Sequence, residues 1–132
     1  MRFLPGGGAV NKVGLYNPGI DWWCRDIGPH LDFKKVPLVG SIYGNREELV
    51  ELAEMLNPFD LVALEVNDSC PNTGYTMSQA DTIIGNTKAV AEVSRHPIIF
   101  KGSVDQDLLK IASGLAGIAA AISINSVPWK TA

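Results

Sequence analysis

The 132 residues contain little that marks a specialised environment. Cysteine occurs only twice, at Cys24 and Cys70, too few for a disulfide framework. Histidine also occurs twice. His30 and His96 each stand beside a proline with no ligand partners at metal spacing, so no metal site is expected. Neither sign of charge dominates: 11 basic and 14 acidic side chains leave a net charge of -3. That balance lacks the basic patch that nucleic acid or an anionic membrane surface requires. The longest apolar stretch, residues 116–124 interrupted by Gly117 and Ser123, is too short to cross a bilayer. The opening Met-Arg-Phe-Leu-Pro-Gly-Gly-Gly has no apolar core of a secretion signal. Apolar residues make up 46% and charged residues 19%, a composition that builds a core and argues against disorder. A single soluble, cytoplasmic domain with reduced thiols, binding neither nucleic acid nor membrane, is the expectation.

What is present is an alternation of apolar runs and helical patterns. Residues 36–43 read as a buried strand, with Pro37 tolerated at its start. Asn45 with Glu48 three residues later has capping-box spacing, and Leu49, Val50, Leu52, Ala53 and Leu56 fall on one face of the helix that follows. Pro58 ends it. Residues 60–66 form a second apolar run, and a helix with Ile83, Ile84, Val90 and Ala91 inward is expected from Ser78 to about Arg95. Residues 97–100 read as a third strand ending at Lys101. Ser103 with Gln106 reads as the start of a third helix, and residues 116–124 as a fourth strand. The pattern predicts an α/β fold, one domain over 1–132. Residues 1–35 form a glycine-rich loop and a short helix stopped by Gly28-Pro29, and 36–132 form a parallel βαβαβαβ unit, apolar on both sheet faces.

In parallel α/β folds reactive groups collect where strands end at their C-termini. Here those ends carry Asn67, Ser69, Cys70 and Asn72, then Lys101, then Asn125 and Ser126. Singly, each has an ordinary reading: Cys70 a buried thiol, Lys101 a surface lysine, Asn67 and Asn72 loop amides. Their joint placement on one rim is the stronger signal. Cys24 keeps the ordinary reading of a small buried hydrophobe, and Trp22 and Trp23 read as packing anchors. Gly6-Gly7-Gly8 lacks the lysine of a phosphate cradle and reads as a loop.

The stretch Asn67-Asp-Ser-Cys-Pro-Asn72 resembles the signature of the dihydroorotate dehydrogenase family, FMN-dependent (β/α)8 barrels. The resemblance continues in order through Asn11-Lys-Val-Gly-Leu15, Ile98-Ile-Phe-Lys101 and Ile124-Asn-Ser126. It implies that the four strands are strands three to six of a TIM barrel. It further implies that Cys70 is the base that takes a proton from C5 of dihydroorotate while hydride leaves C6 for flavin N5. Asn11, Asn67, Asn72 and Asn125 would hydrogen-bond the substrate, with Gly14 and Leu15 contributing backbone contacts and Ser126 joining them at the last strand end. Lys101 would sit near flavin N1 and O2, where a fixed cation stabilises the reduced cofactor. Amides suit an imide-like ring edge because they both donate and accept. A cysteine base resembles the soluble class of the family more than the membrane-associated one, and Asn72 resembles dihydroorotate sites rather than dihydropyrimidine ones. Asp68 departs from the apolar residue usual in the family. If it faces the site, its carboxylate would raise the pKa of the thiol two residues away.

A complete barrel has eight strands and about 250 residues, with the flavin phosphate held after strands seven and eight. This chain corresponds to about half of that. The expectation is therefore a (β/α)4 half-barrel, impaired in activity on its own and completed by a homodimer through its open sheet edges. The alternative is a non-catalytic half-barrel scaffold or interaction protein that retains the motif.

Overall fold

The computed structural model describes residues 2–3, 9–10, 17–68 and 79–126, with side chains outside the description at 2–3, 9–10, 125 and 126. Two short strands, β1 (Arg2–Phe3) and β2 (Ala9–Val10), pair antiparallel, an element that the glycine-rich reading did not foresee. A helical turn α1 (Ile20–Trp22) continues as a π turn over Trp23–Ile27 and a 3-10 turn over Gly28–His30. Gly28-Pro29 therefore tightens the helix rather than stopping it. Gly28 is required by packing: a Cβ there would lie 2.6 Å from the Phe59 ring and 2.8 Å from that of Trp23. Those two rings meet edge to face at 5.0 Å.

The remainder is β3 (Val39–Ile42), α2 (Arg46–Leu56), β4 (Ala63–Asn67), α3 (Ala80–Val93), β5 (Ile98–Ser103), α4 (Leu108–Leu115) and β6 (Ala121–Ser126). The four strands pair in parallel in the order β3-β4-β5-β6. The capping box forms as its spacing requires: the Asn45 side chain accepts from the Glu48 N–H at 3.0 Å, and Glu48 accepts from the Asn45 N–H at 2.8 Å. Such a cap contributes about 1 kcal/mol. α4 starts later than expected, because the Asp107 side chain, not Ser103, caps it by accepting from the Lys110 N–H at 3.1 Å.

Strand register sorts the side chains into two faces. Gly40, Leu64 and Ile98 lie side by side, as do Ile42, Val66 and Phe100, and this face packs on the helices. Leu49, Ala53 and Leu56 of α2 and Val90 of α3 cover its first half; Ile83, Ile111 and Leu115 surround the fully buried Phe100 in the second. Each of the larger side chains contributes about 1.5–3 kcal/mol on burial. The opposite, inner face carries Ser41, Glu65, Ile99 and Ala121 in one row and Asn67, Lys101 and Ser123 in the next. That corrects the expectation of a wholly apolar inner face: near the C-terminal ends of the strands it is mostly polar. Among the described residues no strand pairs with the outer edge of β3 or β6.

The N-terminal ends of the strands are locked by polar contacts. Arg95 donates to the carbonyls of Asn57 and Phe59 and to the Asp60 carboxylate at 2.8 Å, while His96 Nε2 lies 2.7 Å from the Phe59 carbonyl. Asn57 ties in the end of α3 by donating to the Val93 carbonyl at 2.9 Å. The guanidinium of Arg95 holds the Asp60 carboxyl below its ordinary value, first through the hydrogen bond and then through its charge. A lowered folded value means that the ion pair stabilises the fold fully above the ordinary carboxylate pKa of about 4 and is lost as pH falls through the folded value. Asp60→Asn should therefore lower the thermal midpoint at neutral pH, and the gap from the native chain should close on acidification. A gap that persists in acid would show the effect to be something other than ionisation.

Candidate functional site

Of the groups singled out by sequence, the C-terminal rim of the sheet holds Asn67 and Lys101 and the backbone of residues 125 and 126 among the described residues. Asn67 at the end of β4 is directly opposite Lys101 of β5, which is opposite Ser123 of β6. Asn67 is 8% exposed, so its amide is a buried polar group at the mouth of the sheet. Lys101 does not end its strand as expected. β5 runs on to Ser103 because β6 continues to pair with it. The pairing then slips: Ile124 stands opposite Gly102 but Ser126 opposite Ser103, so the backbone of Asn125 is the extra residue of a bulge. Bulges occur where a strand end must be re-aimed, commonly beside functional sites. Residues 125 and 126 thus share the rim with Lys101, while Asn11, Gly14, Leu15, Cys70 and Asn72 lie outside the described residues.

A second set of residues, one row below the rim, escaped sequence reasoning. Ser41 Oγ donates to Glu65 Oε1 at 2.7 Å, and Lys101 Nζ lies 3.9 Å from the same oxygen. The signal was present in the letters: a glutamate inside an apolar strand needs partners. Gln106 makes the cap-type contact its spacing from Ser103 suggests and also bridges the loops. Its Oε1 accepts from the Ser103 N–H and its Nε2 donates to the Asp68 carbonyl, both at 2.8 Å. The Asp68 N–H in turn donates to the Lys101 carbonyl at 3.2 Å. Gln106 therefore fixes the backbone where β4 leads into the segment that holds the cysteine motif.

Beside the rim, a cleft of about 870 Å³ runs along β3, lined by Trp22, Trp23, Ser41, Tyr43 and Asn67 among others. That is within the range of small-ligand and cofactor sites. Among the described residues no group of three or more His, Cys, Asp or Glu side chains could hold a metal ion, and no helix is long and apolar enough to cross a membrane. Cys24 lies away from the rim, its thiol directed at the Met55 carbonyl at 3.7 Å, and burial followed by the Asp21 charge pushes its pKa up. It is a packing thiol, as its sequence context suggested.

Four parallel strands in sequential order, helices on one face and polar groups collected at the strand C-termini define an α/β half-barrel of the TIM type. A model of the dihydroorotate dehydrogenase family matches residues 2–128, and the chain belongs to that family. It is 32% identical over 130 residues to the catalytic subunit of dihydroorotate dehydrogenase B (NAD(+)) of Petrotoga mobilis, covering 92% of this chain and 43% of that protein. The same subunit from Caldicellulosiruptor saccharolyticus is 35% identical over 129 residues, again 92% and 43%. That from Desulforudis audaxviator is 39% identical over 120 residues, 86% and 39%. The chain thus spans about two fifths of the length of the curated relatives it matches.

The Gln106 bridge makes a sharp test of how the rim is held. Gln106→Glu keeps an acceptor for the Ser103 N–H but turns a carboxylate oxygen toward the Asp68 carbonyl. Denaturant unfolding should show a loss of about 1–3 kcal/mol, the cost of leaving a partly buried polar group without its partner. An unchanged midpoint would remove the bridge from the account.

Proposed function

We propose that this chain carries the substrate and base side of a dihydroorotate-oxidising site that works with FMN. The observation that carries the reading is the pairing of Asn67 with Lys101 at the rim, which sets a buried amide residue and a lysine at one height on the same face of the half-barrel. The residues present fit the cofactor's chemistry. An ammonium and a buried amide are the donors that an electron-rich heterocyclic edge needs, and the adjoining cleft has the required size. FMN, when bound, supplies the hydride acceptor. Lys101 holds a fixed positive charge where negative charge develops. Cys70 takes the proton from C5 of dihydroorotate, and the product is orotate, as in pyrimidine synthesis. Asn11, Asn67, Asn72, Asn125 and Ser126 hold the ring and its carboxylate, with the backbone at Gly14 and Leu15. A thiol base has an ordinary pKa of about 8.5 and acts as thiolate, which fits the cytoplasm, where thiols stay reduced.

Flavin absorbance in the purified chain that dihydroorotate bleaches, at a rate below that of a complete barrel, would support this reading. Cys70→Ser should retain FMN and bleach more slowly at neutral pH by about 100-fold or more, the range of a general base. Equal rates would remove Cys70 from the role. A protein that takes up no FMN would favour a half-barrel scaffold that kept the motif as structure.

The same reading includes self-association. The span 1–132 is one partial-barrel unit whose β3 and β6 edges are unpaired among the described residues, and exposed edges recruit further strands. Ile122 and Ile124 on β6 are 37% and 49% exposed on the face that elsewhere packs against helices. Two copies related by a two-fold axis along the barrel would set β3 of one against β6 of the other with every strand parallel. Light scattering coupled to size exclusion should report a dimer; a well-folded monomer would overturn it.

A further inference from the structure

Glu65 is an anomaly in β4. Its neighbours Leu64 and Val66 are buried, and its own side chain is only 18% exposed on the inner face. A carboxylate placed there loses much of its hydration and requires compensating partners. It has two. Ser41 on β3 donates to Oε1 at 2.7 Å, and Lys101 on β5 brings Nζ to 3.9 Å from that same oxygen. By register Glu65 stands beside Ile99, so Lys101 is its diagonal neighbour two residues further along β5, within reach of long side chains. The Lys101 side chain is itself 22% exposed. At 3.9 Å the two charges attract without a hydrogen bond, which leaves the ammonium's three donors directed by the pair but not consumed by it.

We infer that Glu65, steadied by Ser41, is the positioning residue and resting counter-ion of Lys101. It holds the ammonium over the inner face of the sheet, and its negative charge moderates how strongly the site favours an anionic ligand. This rests on the flavin reading only for the identity of that ligand. A site with a bare lysine would bind the reduced, anionic cofactor most tightly; a carboxylate beside the lysine offsets part of that preference and keeps release possible.

The pairing is tested without any ligand. In the 132-residue chain with labelled lysine, the side-chain 13Cε and 15Nζ signals of Lys101, identified by their loss in Lys101→Arg, should move in Glu65→Gln. They should move back toward the native position in Glu65→Asp and move less in Ser41→Ala. A Lys101 signal unchanged in Glu65→Gln overturns the proposal, whatever flavin does. With FMN bound, Glu65→Gln should raise the ratio of affinities for reduced over oxidised FMN about tenfold, about 30 mV upward in midpoint potential for the two-electron couple. Glu65→Asp should stay near the native value. An unmoved potential in Glu65→Gln also overturns the counter-ion role. Should the native chain take up no FMN while the lysine signals respond as stated, the pairing stands and the flavin reading falls.

Discussion

Side chains alternate along a strand, so the packing of Val66 and Phe100 against the helices forces Asn67 and Lys101 onto the opposite face at one height. A slip of one residue between β4 and β5 would carry a lysine into the core and a phenylalanine onto the mouth. The burial of Phe100 among Ile83, Ile111 and Leu115 therefore does more than stabilise α3 and α4. It fixes which residues can meet at the rim, and every chemical role discussed above depends on that register.

The two ends of the sheet have different tasks. At the N-terminal ends, Arg95, Asn57 and His96 satisfy loop carbonyls and tie β4 and β5 to the helices that precede them. These contacts hold the frame. At the C-terminal ends, the same strands present a buried amide, an ion pair and a bulge. The division follows the general logic of parallel barrels, in which loops at the C-terminal rim vary with chemistry while the other end serves stability.

The inner face illustrates how a fold accommodates polar groups in a parallel sheet. Ser41, Glu65 and Lys101 come from three successive strands and compensate one another, so the inner face is polar without leaving a lone charge. Gln106 performs the equivalent service for the backbone, joining the ends of β4 and β5 through one amide.

Local devices were legible in the letters. The Asn45–Glu48 capping box, the amphipathic face of α2 and the order of strands and helices each depend on residues a few positions apart, and the signature around Cys70 identified the family. Strand limits were not: β3 is shorter than residues 36–43, and β5 and β6 run past Lys101 and Ile124, because a strand ends where its partner ceases to pair. Only half of the role of Gln106 was legible: its bond to the Ser103 N–H has the spacing of a cap, while its second partner, the Asp68 carbonyl, lies 38 positions away. Glu65 and Ser41 went unnoticed for the same reason. Sequence determined which elements form and what chemistry they carry; only the assembled sheet decided which side chains meet, since contacts across strands are set by register, and register is set by how the core packs.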